Sequence, residues 1–505
     1  MTPHFSRLLI TLCAVCTATI LLSPTELFAA GFEVGENTPQ STARGGTGVA
    51  NTTDPSAIYF NPALLSRVEG SQVLASSNIL MLDVEFQRDD FILEPGGDPD
   101  QTFSPASNQT GPFPVPFVTA SFDIGPEDLT VAAGLFAPPA FGNPCYGTLE
   151  DGECQPIRDG ATRGMVVEAD MIVAYAGAGV GYGIDLGEER QLDLGLTAGV
   201  AYQNSDFAVV VDAETPITPP WREDPDNEAF VRGTDLSGVG PLAILGVAYS
   251  DGPMRIGASY RPPIRWKTTG TAEVQFSELL NSQQAILNDD TIHLETWSAG
   301  SLRLGWGLQG GEHPANSQWP RWDFELNTVW ENWSLVDNFR LELDGDIEIH
   351  AVPPDADGQH PAFALNPIYQ RKGYQDTLSL RSGFSFGVNS WLTAHGGGFL
   401  ETAAQPVAYT SADFISWERY AGSVGASFHL PADLRLDLGY TLIVSPSRTV
   451  TNGEVYNPIP MSRCQGPDYE AEQCERRGSP PGNPQNEGEW SAHFQILSVG
   501  MNWVY

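Results

Sequence analysis

Long stretches of this chain alternate strictly between apolar residues and polar or small ones. Leu434, Leu436, Leu438, Tyr440, Leu442 and Val444 share one parity, while Arg435, Asp437, Gly439 and Thr441 occupy the other. Leu192, Leu194, Leu196, Ala198, Val200 and Tyr202 stand in the same way against Gln191, Asp193, Gly195, Thr197 and Gly199. A period of two places successive side chains on opposite faces of a β-strand. Strands of soluble sandwiches centre on about five or six residues. These runs often exceed ten, about the length that crosses a bilayer at a tilt.

The pattern predicts strands near 71–88, 114–124, 128–138, 162–184, 190–212, 234–250, 254–276, 291–307, 322–343, 374–388, 391–404, 414–430, 433–446 and 489–505. Their connections alternate between tight turns, such as Gly125 to Glu127, Asp251-Gly252, Asn389-Ser390 and Pro431-Ala432, and long polar segments at 89–113, 139–161, 213–233, 344–373 and 447–488. Short turns at one end and long loops at the other are the layout of an outer-membrane barrel. The connection 308–321 breaks the rule, because it falls on the short-turn side yet is long. The expected fold is all-β, a 14-stranded antiparallel transmembrane barrel. The last strand, ending Leu497, Val499, Met501, Trp503, Tyr505 on one face, must pair with the first so that no bare edge meets lipid.

Arg7 precedes an apolar run from Leu8 to Leu22 and small residues at Ala29 and Ala30, the layout of a secretory signal. Cleavage after Ala29 is expected, giving a signal peptide at 1–29, an N-terminal unit at 30–70 and a barrel at 71–505. Beyond the leader no stretch nears 18 consecutive apolar residues, and the mean hydropathy is slightly negative. A barrel escapes such windows because its lipid-facing residues come only at every second position. The 52 glycines suit a wall that must leave room inside.

Residues 31–70 have no strand period. Gly45, Gly46 and Gly48 with Pro39, Pro55 and Pro62 leave room only for short helical turns. Gly31-Phe32, then Ala43-Arg44-Gly45, then Asp54-Pro55-Ser56-Ala57-Ile58-Tyr59-Phe60-Asn61-Pro62-Ala63 resemble the FadL/TodX outer-membrane transporters of long-chain fatty acids and aromatic hydrocarbons. The resemblance implies that 30–70 is a hatch plugging the lumen, with Ala30, Gly31 and Phe32 rearranging to open the way and Asn61, Pro62 and Ala63 holding it. It also implies a Gram-negative outer-membrane location, passive uptake, and a kink in the third strand that opens the wall sideways.

Pro112, Pro114 and Pro116 begin the second strand, and Pro138-Pro139 close the third, so these ends lie side by side in an antiparallel pair. Proline donates no ladder hydrogen bond. With Gly134 nearby, weak pairing is expected there. Such prolines also end strands without any further purpose, and the family resemblance favours the opening. Arg255, Arg261, Arg265 and Lys267 sit at odd positions of one strand, opposite Ile256, Ala258, Tyr260, Ile264 and Trp266, and should face the lumen. Asp323, Glu325 and Glu331 on the strand after next are their expected salt-bridge partners. An unpaired member, Arg261 or Lys267, is the candidate to receive a fatty-acid carboxylate.

Four cysteines follow the leader, pairing as Cys145 with Cys154 and Cys464 with Cys474 inside two outer loops of an exported chain, where disulfides persist. Neither pair has the close spacing of a zinc site, and no metal or cofactor is expected. A formal charge of −38 excludes a basic nucleic-acid binder. The acids gather at Glu94 to Asp100, Glu223 to Asp226, Asp344 to Glu348 and Glu470 to Glu475, which suits surface repulsion or divalent-cation bridging to lipopolysaccharide. No G-x-S-x-G or H-E-x-x-H motif occurs, so no enzyme is indicated. Glycines at 177, 179, 181 and 183 recur every second residue inside a strand, unlike a dinucleotide loop. The expected partners are a hydrophobic small molecule and outer-membrane lipid, for a monomer. The rival readings are a polar porin and an adhesive barrel with cation-binding acidic loops.

Overall fold

A computed structural model describes residues 37–91, 99, 101–124, 129–138, 144–212, 228–314, 320–364, 368–456 and 484–505. The leader, Ala30, Gly31, Phe32, Pro139, the Cys464 and Cys474 pair, the 125–127 turn and three of the acidic clusters lie outside the described residues.

The wall is built from β1 (Gln72–Arg88), β2 (Phe113–Asp123), β3 (Leu129–Phe136), β4 (Glu168–Gly187), β5 (Arg190–Asp212), β6 (Glu228–Asp251), β7 (Met254–Arg261), β8 (Ile264–Gln275), β9 (Thr291–Ser298), β10 (Ser301–Glu312), β11 (Pro320–Glu331), β12 (Thr377–Asn389), β13 (Leu392–Glu401), β14 (Arg419–Leu430), β15 (Leu434–Val450) and β16 (Gly488–Val504). Neighbours pair antiparallel in chain order, except that β7 pairs with β10 while β8 and β9 prolong those two strands on the long-loop side. β16 pairs with β1 from Gln72↔Val504 to Arg88↔Gly488, closing a ring of 14 strands. Every strand of that ring has a neighbour on both sides within one chain, so no strand is left as a free edge in hydrocarbon.

The two prolongations change parity. On β7 the buried inward residues are Gly257, Ser259 and Arg261, but on β8 they are Ile264, Trp266 and Thr268. Pro262-Pro263 takes a three-residue step where a strand takes two, so every later side chain changes face. Ala299-Gly300 does the same between β9 and β10. The sequence expectation for this strand is therefore corrected: Arg265 and Lys267 face outward, and Ile264 and Trp266 face inward.

Outside, apolar side chains form the lipid-facing band. Exposed Tyr202, Tyr260, Trp330 and Tyr420 lie toward its long-loop edge, and Tyr182, Trp322, Trp391 and Trp503 toward the other. Amphipathic rings at both edges mark the two interfaces. Inside, residues 402–418, which join β13 to β14, fold back into the long-loop mouth. Ala404, Ala412, Phe414, Ile415 and Trp417 are buried there. Tyr146 Oη donates to Ala412 O at 2.8 Å, Asn486 Nδ2 donates to the carbonyls of Ala408 and Thr410 at 2.9 Å each, and Lys372 pairs with buried Asp413.

Candidate functional site

The N-terminal unit sits in the lumen and consists of α1 (Pro39–Ala43), α2 (Ala57–Phe60) and a 3-10 turn at Pro62–Arg67. Proline at the first position of α1 and of the 3-10 turn costs no hydrogen bond, because those N–H groups have no helical partner. Thr38 Oγ1 caps α1 by accepting from Ser41 N, and Asn61 Oδ1 caps the 3-10 turn by accepting from Ala63 N at 3.2 Å. Asn61 Nδ2 also donates to Val49 O at 2.8 Å and, in the wall, to Val247 O at 3.2 Å.

The wall meets this unit with glycine. A Cβ on Gly257 would stand 2.0 Å from Val49 O, one on Gly195 would stand 2.2 Å from Ala63 N, and one on Gly246 would stand 2.2 Å from Asn61 Oδ1. Gly383 and Gly397 do the same against Arg44, Gly425 against Ala43, Gly439 against Pro39, and Gly181 against Leu65. Several are cross-strand neighbours: Gly181↔Gly195↔Gly246, Gly383↔Gly397 and Gly425↔Gly439. Backbone thus packs on backbone around most of the ring.

Charge fixes the unit at three points. Arg44 pairs with Asp323 and, at 3.4 Å, with the fully buried Glu325, whose other oxygen accepts from Ala50 N at 2.8 Å and Gly48 N at 3.2 Å. Asp193 accepts from Ser66 Oγ at 2.6 Å and Arg67 Nε at 2.8 Å. Arg435 bridges Asp54 at 2.7 Å and Asp437 at 2.9 Å. A buried charge is tolerated only when paired and hydrogen-bonded. The lumen carboxylates on β5 and β11 have their partners on the plug, so the electrostatics favour the seated state.

Next to the glycine-lined strands, where β2 and β3 complete the ring, the contact is aromatic. Phe136, the last residue of β3, lies edge-on to Tyr59 of α2 and Tyr175 of β4, each with centroids 5.9 Å apart, and 5.4 Å from Phe117 of β2. Two buried arginines hold the tyrosines. Arg303 donates to Tyr59 O and Tyr59 Oη, both at 3.2 Å, with its guanidinium 4.7 Å from the ring centroid. Arg261 donates to Tyr175 Oη at 3.1 Å and Ala299 O at 3.2 Å. Arg261 pairs across the ladder with Ser301, two residues before Arg303, so both guanidinium groups rise from one patch of wall. Beside this cluster the β2–β3 ladder runs from Asp123↔Thr130 to Phe117↔Phe136. Phe113 to Pro116 continue on β1 alone among the described pairings. On the lipid side, Ala120, Ala133, Ala176, Ala178 and Ala198 leave a groove of about 630 Å³ across these strands.

A plugged 14-stranded barrel invites comparison with known transport barrels. Residues 20–471 match the family described as outer membrane protein transport protein (OMPP1/FadL/TodX). The chain belongs to this family. Among solved structures, it resembles a Pseudomonas aeruginosa FadL homologue at 14% identity and a TM-score of 0.69, covering 94% of this chain and 100% of that one. It resembles the P. putida toluene transporter TodX at 15% identity and 0.58, covering 94% and 99%, and the Ralstonia pickettii toluene transporter TbuX at 13% and 0.56, covering 93% and 99%. No curated protein matches the chain. Membership places it in the outer membrane as a transport barrel.

Within this FadL/TodX-family frame the sequence-derived residues fall as follows. Pro62 and Ala63 press on Gly195, and Asn61 ties the plug together and to the wall. Pro114 and Pro116 pair with Ile79 and Ser77 of β1, on the part of β2 past its last pairing with β3. Gly134 lies inside the ladder, opposite Thr119 and Gly177, so the pairing ends beyond Phe136 and before Pro138, not at the glycine. Arg255 is half-buried near the short-turn end and donates to Gly252 O at 2.6 Å. Arg265 pairs outside with Glu295. Of the four basic candidates, only Arg261 is buried against the plug cluster. The expected bridges from Asp323, Glu325 and Glu331 to this row are also corrected: the first two bind Arg44, and Glu331 accepts from Trp333 Nε1 at 2.8 Å. Arg303 was not a sequence candidate, although the alternation Leu302, Arg303, Leu304 marks it as inward. Cys145 and Cys154 are bonded.

Proposed function

We propose that the chain passively admits hydrophobic molecules with an acidic head group, and that they leave sideways into the bilayer at the seam between β2 and β3. The observation that carries this is the end of the ladder at Phe136, beside a cluster where buried Arg303 and Arg261 sit among aromatic rings. Arginine suits a carboxylate because its planar fork donates two parallel hydrogen bonds. The rings and the outer alanine groove suit an alkyl tail, for which transfer to hydrocarbon is favourable by about 0.8 kcal/mol per methylene. A route that ends in lipid is therefore downhill without any coupled energy source, whereas a wet through-pore gains none of this. In this reading residues 30–70 are the hatch, 71–505 the barrel, and a shift of the hatch opens the path. Closure of the ring by β1 and β16 of one chain supports a monomer in lipid and lipopolysaccharide.

A second reading, uptake of neutral aromatics, is favoured by the Tyr59, Phe136 and Tyr175 rings and by the relatives described as toluene transporters. The test uses the intact chain. In planar bilayers it should pass little steady ion current, while in cells lacking their own hydrophobic channels it should speed entry of labelled dodecanoate. Steady ohmic current without cargo entry would make it a porin. Competition of toluene against dodecanoate separates the two cargo classes.

A further inference from the structure

We infer that Tyr59, Tyr175 and Phe136 form a latch on the lateral seam, and that a carboxylate opens it by drawing Arg303 and Arg261 away from the two tyrosine hydroxyls. The inference rests on the head-group reading above and adds to it a reason why acid and exit are coupled.

The geometry is a short relay. Arg303 Nη2 holds Tyr59 Oη and Arg261 Nη1 holds Tyr175 Oη, at 3.2 and 3.1 Å. The rings of those same tyrosines flank Phe136, each at 5.9 Å and near perpendicular. Phe136 is also the last β3 residue paired to β2 and to β4. Whatever orients the tyrosines therefore orients the residue that ends the ladder.

A phenol oxygen is a neutral acceptor, whereas a carboxylate makes charge-assisted and often bidentate bonds, roughly twice as strong. An arriving acid thus outcompetes both hydroxyls for the same two guanidinium groups. The two hydroxyls then lose these charged anchors, and the edge contacts to Phe136 hold less firmly without them. Tyr59 belongs to the plug and Tyr175 to the wall, so their release frees Phe136 on two sides at once. A neutral molecule of equal length offers no such exchange and leaves the latch fastened. The arginines and tyrosines here are positioning residues for the gate, and selectivity for acids follows from their being shared with it.

The test measures entry of labelled dodecanoate and dodecanol into Gram-negative cells that lack their own hydrophobic channels and carry this protein. The native chain should favour the acid. Tyr59→Phe with Tyr175→Phe keeps both rings and removes both anchors, and it should raise dodecanol entry roughly tenfold, the effect of losing hydrogen bonds to charged groups, so that the acid-to-alcohol ratio falls toward one. Arg303→Met should lower dodecanoate entry, because the acid loses its receptor. Phe136→Ala should speed both cargoes and abolish the preference. An unchanged acid-to-alcohol ratio in the double tyrosine variant would overturn the latch while leaving transport standing. No entry of either cargo above cells without the protein would overturn the transport reading itself.

Discussion

The two sides of the barrel hold the plug by opposite means. From β4 round to β16 the wall offers bare glycine backbone, so that Gly195, Gly246, Gly257, Gly383, Gly425 and Gly439 lie within contact of plug atoms. β1 and β2 contain no glycine, and the single one in β3, Gly134, lies against Val118 O and Thr119 and not against the plug. There the plug is met by rings, beside a ladder that stops early. Backbone against backbone leaves no slack, while aromatic edges slide and re-pack at a cost of about 0.5–1.5 kcal/mol per pair. On the proposed reading the lesson is directional: a disturbed plug should stay seated on its glycine side and yield toward the seam.

The variant expected to break this contrast most completely, by opening the lumen to ions, is Gly257→Leu. With a Cβ 2.0 Å from Val49 O, the plug cannot seat. Overpacking of this kind should cost about 3 kcal/mol, seen as a lower unfolding midpoint and as steady ion current in planar bilayers. Ala133→Leu on the lipid side of the seam should leave that current closed and slow cargo release. Arg44→Ala strands buried Glu325 beside Asp323 without their cation. Losing one partner of a buried pair costs about 3–5 kcal/mol, so heat-modified gel mobility should shift at a lower temperature. A smaller effect comes from above the seam, where Cys145 N donates to Asn108 Oδ1 and Gln109 N donates to Cys145 O, tying the chain together beside the end of β3. Serine at both Cys145 and Cys154 should cost about 2–3 kcal/mol locally, read as protease cleavage near these residues before the barrel itself melts. Smallest of all, Pro116→Val restores an N–H beyond the ladder's end. It should change stability by less than about 1 kcal/mol yet slow release in the entry assay.

How much of this was legible follows from where period two survives. Along β5 or β15 every lipid-facing residue follows from alternation, and the ring of 14 strands follows from counting such segments. The alternation fails wherever one extra residue enters the wall. Pro262-Pro263 and Ala299-Gly300 are such places, and beyond the first of them Arg265 and Lys267 appear inward by arithmetic but face out. Arg303 carried a readable signal, since its own strand alternates cleanly. Its importance was hidden because Tyr59 lies 244 residues away. Arg44 presented the same difficulty: its carboxylate partners are 279 and 281 residues distant, and only the fold brings them together. Folding of 402–418 into the mouth was also unreadable: the pattern runs strands to 404 and again from 414, which puts Phe414, Ile415 and Trp417 in the wall, whereas the strands stop at Glu401 and resume at Arg419 and these side chains fill the mouth.

That inward connection has a consequence for how such a protein diversifies. It is fixed at both ends by neighbouring strands, β13 and β14, and touches neither Tyr59 nor Phe136 in any hydrogen bond or ring contact among the described residues. The filling of the mouth and the aromatic cluster at Phe136 thus belong to separate stretches of chain. A lineage can therefore exchange 402–418 for another sequence and reshape the doorstep of the barrel while leaving the proposed side exit as it inherited it.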